Sequence, residues 1–237
     1  SVEEILVRSS NVGSVLLAKK IGEKHFKEFI EETNLTQNPK IELEEVGVPH
    51  RLKWNKCKLE TVSFGHGITT TPLQATALYA AMINGGKIVI PSLIKQRKTE
   101  NSKSIISTDT SDKLRNILRK VVSSKDGTAS LADKDGYYVG GKTGTAESYG
   151  DKKNRINTFI SVFPTNNPKY TLFVMLENPK INKDLIYNYR GVKTKAPYNT
   201  SGWNSVYVAG KIIEKIGPIL AIKNEEFTDQ YVVEKFN

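Results

Sequence analysis

Three β-rich runs follow one another in the last third of the chain, at residues 137–146, 156–163 and 170–177. The second and third are separated by only six residues, and the first five of these, 164–168, begin and end with proline. Short turns connect antiparallel strands, because a parallel pair needs a crossover of a dozen residues or more. The pattern therefore predicts an antiparallel meander of three strands.

Helical patterns surround these runs. Apolar residues at three- and four-residue spacing predict helices in the first third, with Gly22 as a break between two of them. Thr71 and Pro72 are typical of a helix start, and that helix should end near Asn84 before Gly85. Another helix should begin near Ser111, and a last amphipathic helix should cover the sheet with Val206, Ala209, Ile212, Ile213 and Ile216. Helices followed by strands favour an α+β fold, an antiparallel sheet flanked by helices.

Two segments carry weaker patterns. Residues 39–59 mix charges, glycine and proline without a period, and we expect an irregular connection there with one short strand. Residues 87–90 follow a pair of glycines and read as a second short strand.

Charge and cysteine content narrow the possible partners. Thirty-five Lys and Arg residues against 25 Asp and Glu give a net charge of +10. The basic residues occur in small groups among acidic ones, and no aromatic-basic motif accompanies them, so we expect no nucleic-acid partner. Cys57 is the only cysteine, and His25 and His50 have no companions at metal-ligand spacing. We therefore expect no disulfide, no metal site and no cofactor.

Residues 142–145 read Lys-Thr-Gly-Thr within the first strand of the meander. An edge strand can bind a peptide as an added strand, and Lys142 would attract its carboxylate. Thr143 could hydrogen-bond that carboxylate, Gly144 would allow close approach of an acyl group, and the Thr145 amide could face a developing oxyanion. The alternative is structural: Gly140, Gly141 and Gly144 would mark a bulged or twisted strand.

Residues 9–11 read Ser-Ser-Asn just before an apolar helical face. The structural interpretation is an ordinary helix cap. The functional one gives the Ser9 hydroxyl a proton-relay role toward a leaving amine, and lets the Asn11 amide hold a substrate carbonyl and a neighbouring lysine.

Four stretches together resemble the transpeptidase domain of class B penicillin-binding proteins: Ser-Ser-Asn-Val-Gly at 9–13, Ser-Phe-Gly-His-Gly-Ile at 63–68, Thr-Pro-Leu-Gln at 71–74 and Gly-Gly-Lys-Thr-Gly-Thr-Ala at 140–146. S-x-N and K-T-G motifs belong to the active-site set of this group and of serine β-lactamases. With Phe-Pro at 163–164 and Gly-Trp at 202–203, the chain is most similar to the division-specific peptidoglycan D,D-transpeptidase.

The resemblance implies a penicillin-binding, β-lactamase-like fold and acyl transfer through a serine ester. It assigns Ser9 and Asn11 to catalysis, and Lys142, Thr143, Gly144 and the Thr145 amide to substrate binding. The implied partners are peptidoglycan stem peptides, β-lactam antibiotics and other membrane proteins of the division machinery. The implied location is the inner membrane, with the catalytic domain facing the periplasm.

The resemblance does not supply the nucleophile. In the family, an S-x-x-K helix precedes the second motif by several tens of residues, and only eight residues precede Ser9. We expect residues 1–237 to be the C-terminal part of the domain, inactive and poorly stable alone. The string at 92–95 reads Ser-Leu-Ile-Lys, but it follows Pro91 at a strand end and lies after Ser9 in chain order, so we interpret it as a chance match.

Other functions stay open at this level. The same motifs occur in D,D-carboxypeptidases and β-lactamases, which transfer the acyl group to water. A non-catalytic sensor of β-lactams or peptidoglycan would need the peptide-binding site but would not turn over its ligand. His66 could in principle act as the base for a serine nucleophile. It lies, however, in a glycine-flanked loop without an evident acidic partner, so we assign it a structural role.

Overall fold

A computed structural model describes residues 1–95, 103–148 and 151–220. The chain divides into two compact units, Ser1–Ile117 and Leu118–Asn237.

The first unit is helical. Its helices are α1 (Val2–Val7), α2 (Asn11–Ile21), α3 (Glu23–Glu32), α4 (Lys58–Ser63) and α5 (Pro72–Ile83), and α6 (Thr108–Ser123) contains the unit boundary. Gly22 separates α2 from α3 with φ 88°, which confirms the predicted break. The Thr71 hydroxyl accepts the Gln74 amide at 3.1 Å, which confirms the predicted start of α5. After α5, a Cβ on Gly86 would lie 2.0 Å from the Ile106 carbonyl oxygen, so only glycine fits there.

Three expectations for this unit are wrong in detail. Residues 39–57 contain no strand, and 58–59 already belong to α4. Within the described residues, 87–90 form only one bridge, from Lys87 to Ser104, and the Asn84 side chain bonds both the amide and the carbonyl of Lys87 in the turn that precedes it. Helix α6 begins at Thr108 rather than near Ser111, since the Ser107 hydroxyl accepts the Thr110 amide at 3.2 Å.

The second unit contains the predicted meander. Strands β1 (Gly140–Ser148), β2 (Asp151–Phe163) and β3 (Tyr170–Glu177) pair antiparallel in the order β1-β2-β3. Strand β1 starts three residues later than predicted, because Tyr138 has a left-handed backbone with φ 45°. Among the described residues, β1 and β3 are the outer strands of this sheet.

Helix α7 (Ser205–Ile216) packs on β2 and β3 as predicted. Val206, Ala209 and Ile213 are fully buried on its inner face, and Phe159, Val162 and Phe163 of β2 are buried in the same unit. Removing these side chains from water is the main stabilising contribution to this packing, about 1.5–3 kcal/mol for each large residue. The α+β fold class is therefore confirmed.

Two small features of this unit have no counterpart in the sequence predictions. A hairpin of β4 (Tyr187–Tyr189) and β5 (Val192–Thr194) packs its Tyr187 ring edge-on against Trp203 and Tyr207. Trp203 ends a 3-10 turn, Ser201–Trp203, that leads into α7.

None of the helices in the described ranges combines the length and the apolar character needed to cross a membrane.

Candidate active site

The Lys-Thr-Gly-Thr motif lies in the middle of β1. Lys142, Gly144 and Thr145 are paired with Ile160, Thr158 and Asn157 of β2. Because side chains alternate along a strand, Lys142 projects to one face of the sheet, and Thr143 and Thr145 project to the other. Within the described residues, β1 has a strand partner on its β2 side only, so its other side is available to an added strand.

The glycines of this strand serve close packing rather than a bulge. The one irregularity in the β1–β2 register falls between Glu147 and Ser148, so the structural alternative of a bulge at the glycines is wrong. A Cβ on Gly141 would lie 2.4 Å from the Ile160 carbonyl oxygen, and a Cβ on Gly144 would lie 2.5 Å from the Thr158 hydroxyl. Both positions therefore require glycine for contact with β2.

Lys142 is a half-buried cation. Its Nζ donates to the Thr143 carbonyl oxygen at 3.1 Å. Burial lowers the pKa of Lys142 from 10.5 to about 8, because removal from water penalises the charged form. At neutral pH the group is still mainly an ammonium, and its low hydration strengthens its attraction for a carboxylate.

Both threonine hydroxyls of the motif contact residues outside it. The Thr143 hydroxyl lies 2.9 Å from the Thr128 hydroxyl, and the Thr145 hydroxyl lies 2.8 Å from the Ser201 hydroxyl. Sequence reasoning missed Thr128 and Ser201, because no spacing rule links either residue to the motif.

The Ser-Ser-Asn motif forms the junction between α1 and α2 in the first unit. Ser10 is the cap of α2, and its hydroxyl accepts the Gly13 amide at 3.1 Å. The capping interpretation is therefore confirmed for Ser10. Ser9 and Asn11 flank the cap with exposed side chains.

Ser9 has an unusual backbone conformation, with φ 56°. Serine in the left-handed region is strained, by about 1–2 kcal/mol. A Cβ on Gly13 would lie 2.4 Å from the Ile5 side chain, so α1 and α2 meet closely at this junction. The strained turn and the tight helix pair fix the direction in which Ser9 and Asn11 project.

The string at 92–95 does not form a helix. The Ser92 hydroxyl contacts a Glu42 carboxylate oxygen at 2.5 Å and the Ile94 carbonyl oxygen at 2.9 Å. Helical geometry would place Lys95 one turn from Ser92, and its absence supports the interpretation as a chance match.

His66 stacks on Phe64, with ring centroids 6.4 Å apart. In the described ranges, no cluster of histidine, cysteine, aspartate and glutamate could hold a metal ion.

The structure groups the predicted residues into two sets. Lys142, Thr143, Gly144 and Thr145 share β1 in the second unit, where Thr128 and Ser201 bond their hydroxyls. Ser9 and Asn11 belong to the first unit.

Curated proteins similar to this chain are cell-wall and sporulation proteins. A probable peptidoglycan D,D-transpeptidase FtsI of Caulobacter vibrioides is 30% identical over 94% of this chain and 38% of its own length. Stage V sporulation protein D of Bacillus subtilis is 33% identical over 75% of this chain and 30% of its own length. The chain thus spans about a third of the length of these relatives.

Solved structures of similar fold include those of penicillin-binding protein 3 from two organisms. The apo TP domain of Burkholderia pseudomallei penicillin-binding protein 3 superposes with a TM-score of 0.79 at 22% identity, covering 95% of this chain and 66% of that one. Mycobacterium tuberculosis penicillin-binding protein 3 complexed with aztreonam gives a TM-score of 0.74 at 25% identity, covering 92% and 52%. These structures confirm the predicted penicillin-binding, β-lactamase-like fold.

Family membership follows from the sequence match itself. Residues 1–199 match the penicillin-binding protein transpeptidase domain, and this range includes both motifs. The resemblance stated from the motifs is thereby confirmed. The chain belongs to the penicillin-binding protein transpeptidase family.

Proposed function

We propose that the chain is the C-terminal part of a peptidoglycan D,D-transpeptidase that cross-links stem peptides through a serine acyl-enzyme and binds penicillin. The observation that carries this proposal is the Lys-Thr-Gly-Thr motif on an outer strand of the sheet, with a desolvated Lys142, in a chain that matches the family over residues 1–199. A substrate peptide would pair with β1 as an added strand.

The strand would bind and activate the substrate. The Lys142 ammonium attracts the terminal carboxylate, and the Thr143 hydroxyl hydrogen-bonds it. The absence of a side chain on Gly144 allows the penultimate D-Ala carbonyl to approach the backbone. The Thr145 amide then donates to the oxygen of that carbonyl as negative charge develops on it.

Two covalent steps complete the proposed reaction. A serine hydroxyl attacks the D-Ala carbonyl carbon, an ester forms, the peptide bond breaks and the terminal D-Ala leaves as an amine that has gained the proton. An amine from a second stem peptide then attacks the ester, forms the cross-linking amide and returns the proton to the serine. Ser9 would relay the proton of the first step, and Asn11 would hold the substrate carbonyl and the base lysine.

We propose that the attacking serine and its base lysine lie in an S-x-x-K helix encoded before Ser1. The non-helical string at 92–95 and the coverage of about a third of the relatives support this placement.

The proposed setting is the periplasmic face of the inner membrane, with stem peptides, β-lactams and membrane proteins of the division machinery as partners.

The reaction class is tested on the protein encoded with its upstream sequence. With a D-Ala-D-Ala stem peptide and an amine acceptor, the proposal predicts release of D-Ala and a cross-linked product. D-Ala release without cross-linking would indicate a carboxypeptidase, and rapid turnover of penicillin would indicate a β-lactamase. Stoichiometric penicillin labelling without D-Ala release would indicate a sensor. Each of these three results would overturn the proposal.

Ser9 and Ser10 provide a matched test of the second motif in that same protein. We expect Ser9→Ala to slow penicillin acylation about 10²–10⁴-fold, the usual contribution of a positioned proton donor or acceptor. Ser10→Ala removes the cap of α2 and should cost about 1 kcal/mol of stability. It should leave the acylation rate of the folded protein nearly unchanged. Equal acylation rates for the two variants would contradict the assignment of Ser9.

A further inference from the structure

The buried hydroxyl of Ser201 contacts Gly144 and Thr145 of strand β1. Ser201 is 1% exposed, and it begins the 3-10 turn that precedes α7. Its hydroxyl donates to the Gly144 carbonyl oxygen, and its amide donates to the Thr145 hydroxyl at 3.3 Å. One residue outside the motif therefore bonds both residues of the Gly144–Thr145 peptide.

The proton directions in this cluster follow from the chemistry of its members. A serine hydroxyl has one hydrogen, and the Gly144 carbonyl can only accept. The Ser201 hydrogen is therefore used on Gly144, and in the 2.8 Å contact between the two hydroxyls Thr145 is the donor. The Thr145 side chain is therefore held against Ser201 by two bonds: its hydroxyl donates to the Ser201 hydroxyl and accepts from the Ser201 amide.

The Gly144 carbonyl is held from both faces of the sheet. Thr158, the cross-strand partner of Gly144, also donates its hydroxyl to this oxygen, at 3.4 Å. Thr158 shares the face of Gly144, and Ser201 contacts Thr145 on the opposite face. Because Thr158 belongs to β2, its bond to this oxygen indicates that the Gly144 carbonyl is directed toward β2.

The orientation of that carbonyl determines the orientation of the Thr145 amide. In a planar trans peptide the C=O and the following N–H point in opposite directions. A Gly144 carbonyl directed toward β2 therefore aims the Thr145 N–H toward the open side of β1, where the proposed substrate binds. Hydrogen bonds to the carbonyl also polarise the peptide group and make its N–H a stronger donor.

A network of asparagines fixes the turn that carries Ser201. Asn157 of β2, the cross-strand partner of Thr145, is fully buried, and its Nδ2 lies 3.4 Å from Asn199 Oδ1. Asn199 also donates to the Pro179 carbonyl at 2.6 Å and accepts from Asn204 at 3.0 Å. Asn199 and Asn204 are half-buried, and Asn157 Oδ1 has no hydrogen-bond partner among the described residues, so these bonds tie the Ser201 turn to β2 without satisfying every polar atom of the network.

We propose that Ser201 is a positioning residue for the oxyanion donor: it orients and polarises the Gly144–Thr145 peptide so that the Thr145 amide stabilises the tetrahedral intermediate. This inference rests on the proposed transpeptidase function and deepens it. Ser201 itself touches no reacting atom.

The test measures penicillin acylation of the full-length protein as a rate constant and a separate initial binding constant. Because loss of an oxyanion donor costs about 10²–10³-fold, we expect Ser201→Ala to slow acylation roughly tenfold while initial binding stays nearly unchanged. The control is Ser205→Ala: Ser205 is equally buried, and its hydroxyl donates to the Ser201 carbonyl at 3.3 Å. Its acylation rate should remain near that of the unmodified protein.

A spectroscopic readout separates positioning from general damage. Hydrogen bonds from an oxyanion donor lower the stretching frequency of the acyl-enzyme ester carbonyl, so Ser201→Ala should raise this frequency in infrared difference spectra and Ser205→Ala should not. If Ser201→Ala fails to fold, Ser201→Cys, with a weaker S–H donor, should give a smaller change in the same direction.

The outcomes distinguish the two proposals. An unmodified protein that penicillin does not acylate would overturn the proposed function and this inference with it. Normal acylation of the unmodified protein, with an unchanged rate and ester frequency in Ser201→Ala, would overturn the role of Ser201 alone.

Discussion

A fluorescent penicillin is expected to leave the 237-residue chain unlabelled and to label the protein encoded with its upstream sequence in a one-to-one ratio. The reason is that Ser9 is assigned to proton relay and Ser92 is held in a non-helical turn, so no serine in the described ranges is followed one helical turn later by a base lysine. Gel fluorescence and the intact mass of the adduct measure the difference.

Peptide mapping identifies the labelled residue and so provides the control. A label on an S-x-x-K serine before Ser1 supports the proposal. Stoichiometric labelling of the 237-residue chain would contradict it, and a label that mapped to Ser92 would make the string at 92–95 the nucleophile motif. Ser92→Ala in the longer protein should leave labelling intact.

Lys142→Met is expected to slow penicillin acylation of the longer protein about 10²–10³-fold, the usual cost of removing an electrostatic partner of the developing charge. Methionine keeps most of the side-chain volume but lacks the ammonium that attracts the carboxylate. Stopped-flow measurement of the acylation rate tests this expectation. Lys134→Met, which removes a half-buried lysine outside the motif, serves as the matched control. Equal rates for the two variants would contradict the role of Lys142.

The same substitution should stabilise the fold in a pH-dependent way. Because the folded-state pKa of Lys142 is lowered to about 8 from 10.5, the buried ammonium costs stability at every pH below 8. The cost disappears as the pH rises from about 8 to 10.5, where the folded protein is neutral at this site and the unfolded chain still binds a proton. Lys142→Met should therefore raise the free energy of unfolding at pH 7 by about 1–3 kcal/mol and by less at pH 10. A gain independent of pH would contradict a buried ammonium.

Most of the regular elements could be predicted because their signals are local. Gly22 ends α2 and Thr71 caps α5 through contacts with residues only a few positions away. The β-rich runs and the proline-bounded segment at 164–168 are enough to indicate the meander. The apolar face of α7 likewise repeats every three or four residues, and Val206, Ala209 and Ile213 are buried as expected.

The remaining features depend on contacts between residues distant in sequence. Residues 87–90 have the composition of a strand, but within the part of the chain that the structure describes they form only the bridge from Lys87 to Ser104. Ser201 lies 57 residues from Gly144 in sequence. The Thr128 hydroxyl contacts Thr143 only because the folded chain places residue 128 next to β1. No spacing rule covers such pairs, so the residues that support the motif became visible only in three dimensions.

The central claim is that strand β1 binds a peptide that ends in a carboxylate through Lys142, Thr143 and the Thr145 amide. A crystal structure of the longer protein acylated by a β-lactam tests it most directly. We expect the ligand carboxylate at hydrogen-bonding distance from Thr143 and near Lys142, and the ester carbonyl oxygen at hydrogen-bonding distance from the Thr145 amide. A ligand carboxylate remote from Lys142 and Thr143, or an ester carbonyl oxygen remote from the Thr145 amide, would contradict the claim.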